Sequence, residues 1–403
     1  MTDTARPAAR ASPAASTGPA GGVPATGTDT ATRLALIVAA VGLLLPGTPP
    51  PVAVLSLIGV VATLLASMRW RTGRLVIVVL LVVGIALRLA PSSGFSDVLM
   101  VTEAATREML AGGSPYGHAY AESVPPGAPF AYGPLALLWY LPSLDDPGTM
   151  ELLASCLVLV ALAVRGGPVS LAIYAVTPAF VVAATDGSND TTAGLLILVA
   201  LLVAVRAPLS GAVLLAVATA FKPYALAWLP GLIAYAGSVT PLLAFAAASA
   251  AAWLLPSLAW GPEALLWSFR RADAIHPQPY YSLAYALGGA DAVPKAGWQA
   301  IRVAAGVLAA VLGLWLVRSV ASLVIAGSIV YCATLFLGWW STFAYVAALA
   351  PLLCWYLDGW LGLAGQRVIW PGDPVRSVTT WVDSRWPVRH PGRHVTEASG
   401  WAR

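Results

Sequence analysis

The chain has 403 residues, 59% of them hydrophobic and 10% charged, with a net charge of +4 and a mean hydropathy of +0.78. Soluble domains carry about 25% charge, so an ordinary soluble enzyme is excluded and an all-α polytopic membrane protein is expected. The small positive excess is spread over loops and tails, which speaks against a nucleic-acid partner. Cys156, Cys332 and Cys354 stand singly in apolar runs, without zinc-site or disulfide-framework spacing.

Residues 1–32 are rich in Ala, Pro, Gly and Thr, lack periodicity and are predicted to be a disordered tail. A signal peptide is not predicted there, because polar low-complexity sequence fills the place of an apolar core. Apolar runs follow at 34–47, 51–68 and 75–90, then at 149–165, 168–185, 190–205, 208–220, 224–237, 241–257, 298–317, 319–337 and 341–361. Many approach the roughly 17–25 residues that cross a bilayer, which sets an expectation of about 10–13 spans between residues 33 and 364. Pro134–Leu144 is too short to span and is expected to lie at the interface. Residues 365–403 carry six Arg against three acids, broken by four prolines, and are expected to form an irregular cytoplasmic tail touching anionic lipid.

With the N-terminus in the cytoplasm, Arg33, Arg69, Arg71, Arg74, Arg165, Arg206, Arg318 and the tail all fall inside, in keeping with the positive-inside rule. Both termini are then cytoplasmic. The same alternation gathers the loop 91–133, the segment Asp186–Asp190 and the loop 258–297 on the outer face.

Chemistry concentrates in those three segments. Asp97 follows the third run and precedes an amphipathic stretch with Val98, Val101, Ala105 and Met109 at helical spacing. Two readings stand together: a helix cap by Ser96 or Asp97, and Asp97 as a general base for an acceptor hydroxyl. Lys222, in Phe221-Lys222-Pro223-Tyr224, interrupts two apolar runs; it is either a phosphate ligand or a lysine snorkelling to the interface. Arg88, in the last turn of the third run, is placed to bind phosphate or the Asp97 carboxylate. Asp186-Gly187-Ser188-Asn189-Asp190 reads equally as turn chemistry and as a polar floor for sugar hydroxyls through Asp186, Asn189 and Asp190. Arg270 and Arg271 offer guanidinium groups to phosphate. His276, Gln278 and Tyr280, with Tyr116 and Tyr132 in the first loop, offer surfaces for sugar or acceptor, although a solvated loop explains any one of them. His118 and His276 lack metal-pair spacing, and no metal site is assigned, while a divalent ion between Asp97 and Asp190 stays open. GxGxxG, GxxxxGK[ST] and DxD are absent, so a sugar donor is expected to come from the membrane as a lipid phosphate.

Asp97 after an early span, Gly113-Ser114-Pro115-Tyr116, Phe130–Pro134, Gly187-Ser188-Asn189-Asp190 and Phe221-Lys222-Pro223-Tyr224 occur in this order. That order resembles the GT-C superfamily of membrane glycosyltransferases. It is similar in particular to the bacterial polyprenol-phosphate-mannose-dependent α-1,2-mannosyltransferases, over roughly residues 75–237. The resemblance implies a GT-C-like helical bundle in the bacterial plasma membrane with an extracytoplasmic active site. It implies a polyprenyl-monophosphate sugar donor, a glycan or glycolipid acceptor, Asp97 as the activating acid, and Lys222 as the Lys-Pro element. Many members carry Gly-Gln or Gly-His before Asn-Asp, where this chain has Gly187-Ser188, so sugar specificity does not transfer. A secondary transporter and a cell-envelope assembly scaffold are the alternatives. A transporter would be built on internal repeats with midplane charges, and no repeat is evident.

Overall fold

The computed structural model describes residues 27–47, 50–70, 72–90, 94–124 and 126–370. The predicted tail over 1–26 and the Arg-rich stretch from 371 lie outside the described residues. Three helices, α1 (Gly27–Leu43), α2 (Pro50–Ser67) and α3 (Gly73–Leu89), lead to α4 (Val98–Leu110). Two short strands, β1 (Ala119–Tyr120) and β2 (Ala128–Pro129), pair antiparallel. Next come α5 (Pro134–Trp139), α6 (Gly148–Arg165), α7 (Pro168–Val176), α8 (Pro178–Val182), α9 (Asp190–Ala204) and α10 (Pro208–Phe221). A 3₁₀ segment, Pro223–Trp228, joins α10 to α11 (Leu229–Ala236). The rest is α12 (Thr240–Trp260), α13 (Pro262–Ala274), α14 (Leu283–Ala286), α15 (Lys295–Leu316), α16 (Val320–Phe336) and α17 (Ala344–Trp360). The fold is all-α.

Proline sets the breaks. Pro134, Pro168, Pro178, Pro208 and Pro262 each open a helix, where their missing N–H is not needed. Pro178 holds Thr177 in an extended conformation (φ −65°, ψ 119°). The run 168–185 is therefore two helices, of nine and five residues, rather than one span. The run 224–237 divides likewise into the 3₁₀ segment and the eight-residue α11. Among the described residues three helices are long and apolar enough to cross a membrane by length and composition: α6, α12 and α15. Periodic hydrophobicity does not register these two proline breaks; seven other runs form unbroken helices of 14–18 residues. Two expected boundaries also move. Residues 27–32, placed in the tail from sequence, begin α1. Residues 366–370 dock on the bundle: the Val368 N–H donates to Gly166 O at 2.9 Å and Trp370 Nε1 to Ala163 O at 2.9 Å.

Two cores pack side by side. One is built from α1, α2, α3, α6 and α7, around Leu36, Ile77, Leu80, Leu87, Val158 and Leu162. The other is built from α9, α10, α11, α16 and α17, around Leu198, Leu215, Trp228, Leu232, Val324 and Tyr331. Both cores include residues of α17, which is packed against α7 and α9. A third cluster, with Leu99, Ala105, Tyr116, Phe130, Leu137 and Phe221, seats α4, α5 and the β1–β2 turn over the end of α10.

The short α7 is fastened at both ends by buried charges. At its C-terminus Arg88 donates from Nη2 to Tyr174 O at 2.8 Å and from Nη1 to Ala175 O at 3.0 Å. Nη1 also donates to Gly84 O at 2.9 Å, and Nε to Ser155 Oγ at 2.5 Å. At its N-terminus Asp358 of α17 accepts from Ser170 N at 2.9 Å, from Val169 N at 3.3 Å and from the Ser170 hydroxyl. Cation at the C-end and carboxylate at the N-end both match the helix dipole.

The bundle has two chemically different ends. At one, Arg33 Nη2 donates to Ser67 O at 3.0 Å and Arg74 Nε to Ile369 O at 3.3 Å, while Arg165 lies over the Trp355 ring at 4.3 Å. The opposite end gathers Asp97, Asp186, Asp190 and Lys222, and it carries the candidate site.

Candidate functional site

The turn between α8 and α9 determines where the site forms. Gly187 has φ +92°, and a Cβ there would strike the Ser96 carbonyl, so only glycine fits. Asp186 folds back to accept from Ser188 N at 2.8 Å, an Asx-type turn. The Asp186 carbonyl accepts from Ser96 N at 2.5 Å and the Gly187 carbonyl from Leu99 N at 2.9 Å. This turn therefore clamps the start of α4, and with it Asp97, against the start of α9. Burial pushes the Asp186 carboxyl up from its usual range; its side chain is employed in the turn.

Asn189 and Asp190 begin α9, where a carboxylate is favoured by the helix N-terminus. Across from them Pro223 ends α10 and leaves Lys222 extended. Lys222 Nζ donates to Asn189 Oδ1 at 2.6 Å and to Asp190 Oδ1 at 2.8 Å. Tyr224 OH donates to the same Asp190 oxygen at 2.6 Å. The ammonium lies 5.1 Å, 5.5 Å and 5.6 Å from the ring centroids of Tyr224, Tyr132 and Tyr345, a cation–π enclosure. Lys222 is only 5% exposed, so it does not snorkel to solvent. Asn189 Nδ2 is buried without a hydrogen-bond partner, a vacant donor beside an ion pair.

Asp97 occupies the N-cap position of α4, yet its side chain makes no capping bond. Its Oδ2 accepts from Val124 N at 2.8 Å, and the carboxylate stands near enough to Tyr132 and His276 to act on both electrostatically. Of the two sequence readings, the side-chain cap is not realised by Asp97, while Ser96 Oγ accepts from Val98 N at 3.4 Å. The Tyr132 phenol is held well above its ordinary pKa by burial, reinforced by Tyr345, Asp190 and Asp97. His276 stacks on Trp340 with centroids 3.9 Å apart and planes 10° apart. Burial, with Lys295 nearby, lowers its pKa to about 4, so the ring is neutral at pH 7. Trp339 Nε1 and Lys295 Nζ both donate to the His276 carbonyl, at 3.0 Å and 3.2 Å. Ser341 N donates to Tyr280 O at 2.8 Å. These bonds fasten the 276–282 segment to the start of α17.

The structure thus brings Asp97, Tyr132, Asn189, Asp190, Lys222 and His276 together. Tyr116 is buried beneath them, its hydroxyl donating to Tyr132 O at 3.0 Å, so it supports Tyr132 rather than facing a ligand. Arg270, Arg271 and Gln278 are exposed on and after α13, and Tyr280 is 47% exposed. Arg88 is 1% exposed and committed to the α7 C-terminus, so its expected part in phosphate binding gives way to a structural one. Among the described residues no three His, Cys, Asp or Glu side chains gather as a metal-binding group.

Several members escape sequence reading. Glu151, 1% exposed in the first turn of α6, accepts from Tyr140 OH at 2.6 Å and from Thr192 N at 3.0 Å. It thereby fixes the N-terminus of α9 that presents Asn189 and Asp190. Its signal was available, as an acid inside an apolar run, a place it shares with Asp358. Tyr345 and Trp340 had no such signal, since aromatics in apolar runs are ordinary core.

No protein-family model, curated protein or solved structure matches the chain.

Proposed function

We propose that the chain is a polytopic membrane glycosyltransferase of the GT-C type, transferring a sugar from a polyprenyl-monophosphate donor to a glycan or glycolipid acceptor. The observation that carries this reading is the pairing of two unlike groups at one end of an apolar bundle. One is a carboxylate, Asp97, released from capping duty; the other is the buried Lys222–Asn189–Asp190 cluster under three tyrosines. The basic character of the opposite end supports a cytoplasmic orientation for it, with the site extracytoplasmic. The exposed apolar faces of α12 and α15, with Leu255, Leu258, Val303 and Val307, support contact with lipid.

In the proposed reaction Asp97 accepts the proton of an acceptor hydroxyl. The freed oxygen bonds to the anomeric carbon while the bond from that carbon to the phosphate oxygen breaks. The electron pair leaves on the polyprenyl phosphate, which needs no proton at neutral pH, so one carboxylate suffices and the configuration inverts. Asn189 Nδ2 offers a donor to the sugar, and the neutral His276–Trp340 stack offers a flat face for it. Lys222 is held by Asp190 and Asn189, so in this reading it organises the site and contributes a remaining N–H. Multi-pass insertion into a bacterial plasma membrane, with both termini cytoplasmic, belongs to the same proposal.

Purified protein in lipid nanodiscs, given radiolabelled polyprenyl-phosphate hexose or the matching nucleotide sugar, tests it. Transfer from the lipid phosphate alone is expected. Transfer from the nucleotide sugar without lipid would sink the reading.

A further inference from the structure

We infer that Arg165 and Arg367, at the basic end of the bundle, form a paired-guanidinium site for the phosphate of an anionic membrane phospholipid. The inference goes beyond the proposed transfer: it needs the chain to sit in a bilayer but uses no step of the reaction. The site forms where residues 366–370 return to the bundle. There α6 ends at Gly166, whose φ of +76° turns the backbone out of the helix. The Val368 N–H donates to Gly166 O at 2.9 Å, and a Cβ on Gly166 would strike the Val368 carbonyl. This close crossing brings together Arg165, one residue before Gly166, and Arg367, one residue before Val368. Trp370 Nε1 donates to Ala163 O at 2.9 Å and Arg74 Nε to Ile369 O at 3.3 Å, which hold the returning segment in place.

The two cations lack an anion of their own. Arg165 is half-buried, its guanidinium carbon 4.3 Å from the Trp355 ring centroid and 5.7 Å from that of Tyr356. Arg367 is also half-buried, and its Nε is shut away from water without a hydrogen-bond partner. Among the described residues neither guanidinium makes an ion pair or a hydrogen bond. Asp358 is near enough to act on both, but its oxygens are taken by Val169 N, Ser170 N and the Ser170 hydroxyl. Two like charges partly removed from water, and close enough to act on each other, destabilise the fold unless an anion joins them. The aromatic faces offset only part of this. A phosphate meets the need, because planar guanidinium forks donate to its oxygens in pairs. Trp355, Tyr356 and Trp370 are the aromatic types that settle at headgroup depth in a bilayer. In the proposed orientation this end faces the cytoplasmic leaflet, where anionic lipids collect basic groups. Arg88 is the contrast: its donors are spent inside the protein.

The test uses the full chain in phosphatidylcholine nanodiscs, titrated with fluorescent phosphatidylglycerol, with fluorescent phosphatidylcholine as the zwitterionic control and inorganic phosphate as competitor. Wild type should prefer phosphatidylglycerol. Arg165→Gln and Arg367→Gln should each lose about 10- to 100-fold of that affinity, and Arg165→Lys should recover part of it. Arg367 lies outside the helices, so its variant carries the test if Arg165→Gln fails to fold. Arg33→Gln removes an exposed cation from the same end and should leave the affinity unchanged. Equal loss in Arg33→Gln and Arg367→Gln would replace the site with diffuse surface attraction and overturn the inference. Absence of a preference in wild type, or a preference kept by folded Arg367→Gln, would overturn it too. Displacement of the probe by inorganic phosphate at comparable concentration overturns the lipid site in favour of a free-anion site. Sugar transfer by any of these proteins bears on the proposed reaction alone, whereas failure of the folded chain to enter a nanodisc overturns both.

Discussion

Two sets of buried charges in this bundle are built on opposite plans. Around α7, Arg88 makes four hydrogen bonds and Asp358 accepts three through its two oxygens. Each charge answers one end of a helix, and little capacity is left for a ligand. Around the start of α9, Lys222 is paired with Asp190, but Asn189 Nδ2 has no partner and Asp97 is not used as a cap. A buried charge with all its partners inside the protein is doing structural work. The leftover Asn189 donor is available to a ligand, and satisfying it would recover part of the roughly 1–3 kcal/mol that an unsatisfied buried donor costs.

The largest effect should come from Lys222→Met, which leaves Asp190 buried without its cation and should destabilise the fold by about 3–5 kcal/mol. Adding Asp190→Leu should restore most of that stability but no activity, since the enclosure would be apolar. Recovery of transfer in the double variant would erase the distinction between the two plans. Arg88→Met, which leaves the Tyr174 and Ala175 carbonyls without its guanidinium, should lower stability by less, about 1–3 kcal/mol in all, while the folded fraction works at nearly the wild-type rate. Denaturation in detergent, read beside specific activity per folded molecule, separates these outcomes. Full loss of activity in folded Arg88→Met would return Arg88 to the site.

A smaller effect is expected of Glu151→Gln, which keeps a hydrogen-bonding group beside Tyr140 and Thr192 but cannot accept from both as the carboxylate does. Loosening the α9 N-terminus should lower kcat by about tenfold with KM little changed. A change confined to KM would show that Glu151 does not position the reacting groups.

The smallest concerns pH. The folded-state pKa of His276 is lowered to about 4 from an ordinary 6.5, so between those values the unfolded chain binds more protons. The stability contributed by neutral His276 is complete above about pH 6.5 and declines as pH falls towards about 4. His276→Phe should flatten that part of the melting-temperature profile. An unchanged slope would mean that other groups carry it.

Much of this was legible in the sequence, for reasons particular residues make plain. Lys222 stood out because a lysine amid apolar residues demands a partner. Gly187 and Asp186 announced a turn, and the helical spacing after Asp97 announced α4, which runs from Val98 to Leu110. The gathering of 97, 186–190 and 276 at one end follows the alternation of apolar runs along the chain. What sequence could not give was the partner of each charge. Arg88 and Lys222 look alike in a string, each a cation at the edge of an apolar run. Only the packing of α3 beside α7 assigns one to carbonyls, and only the facing of α10 and α9 assigns the other to Asp190. Helix continuity failed for a similar reason: hydropathy runs straight through Pro178 and Pro230, where the backbone does not.

The central claim is that Asp97 is a base and not a cap, and single-turnover transfer from a prebound polyprenyl-phosphate hexose tests it most directly. Asp97→Asn preserves size and the acceptor for Val124 N–H, so melting temperature and donor affinity should match wild type while the transfer rate falls about 10²–10⁴-fold. Near-wild-type transfer from the bound donor by a well-folded Asp97→Asn protein would contradict the account and move the search for the base to Asp190.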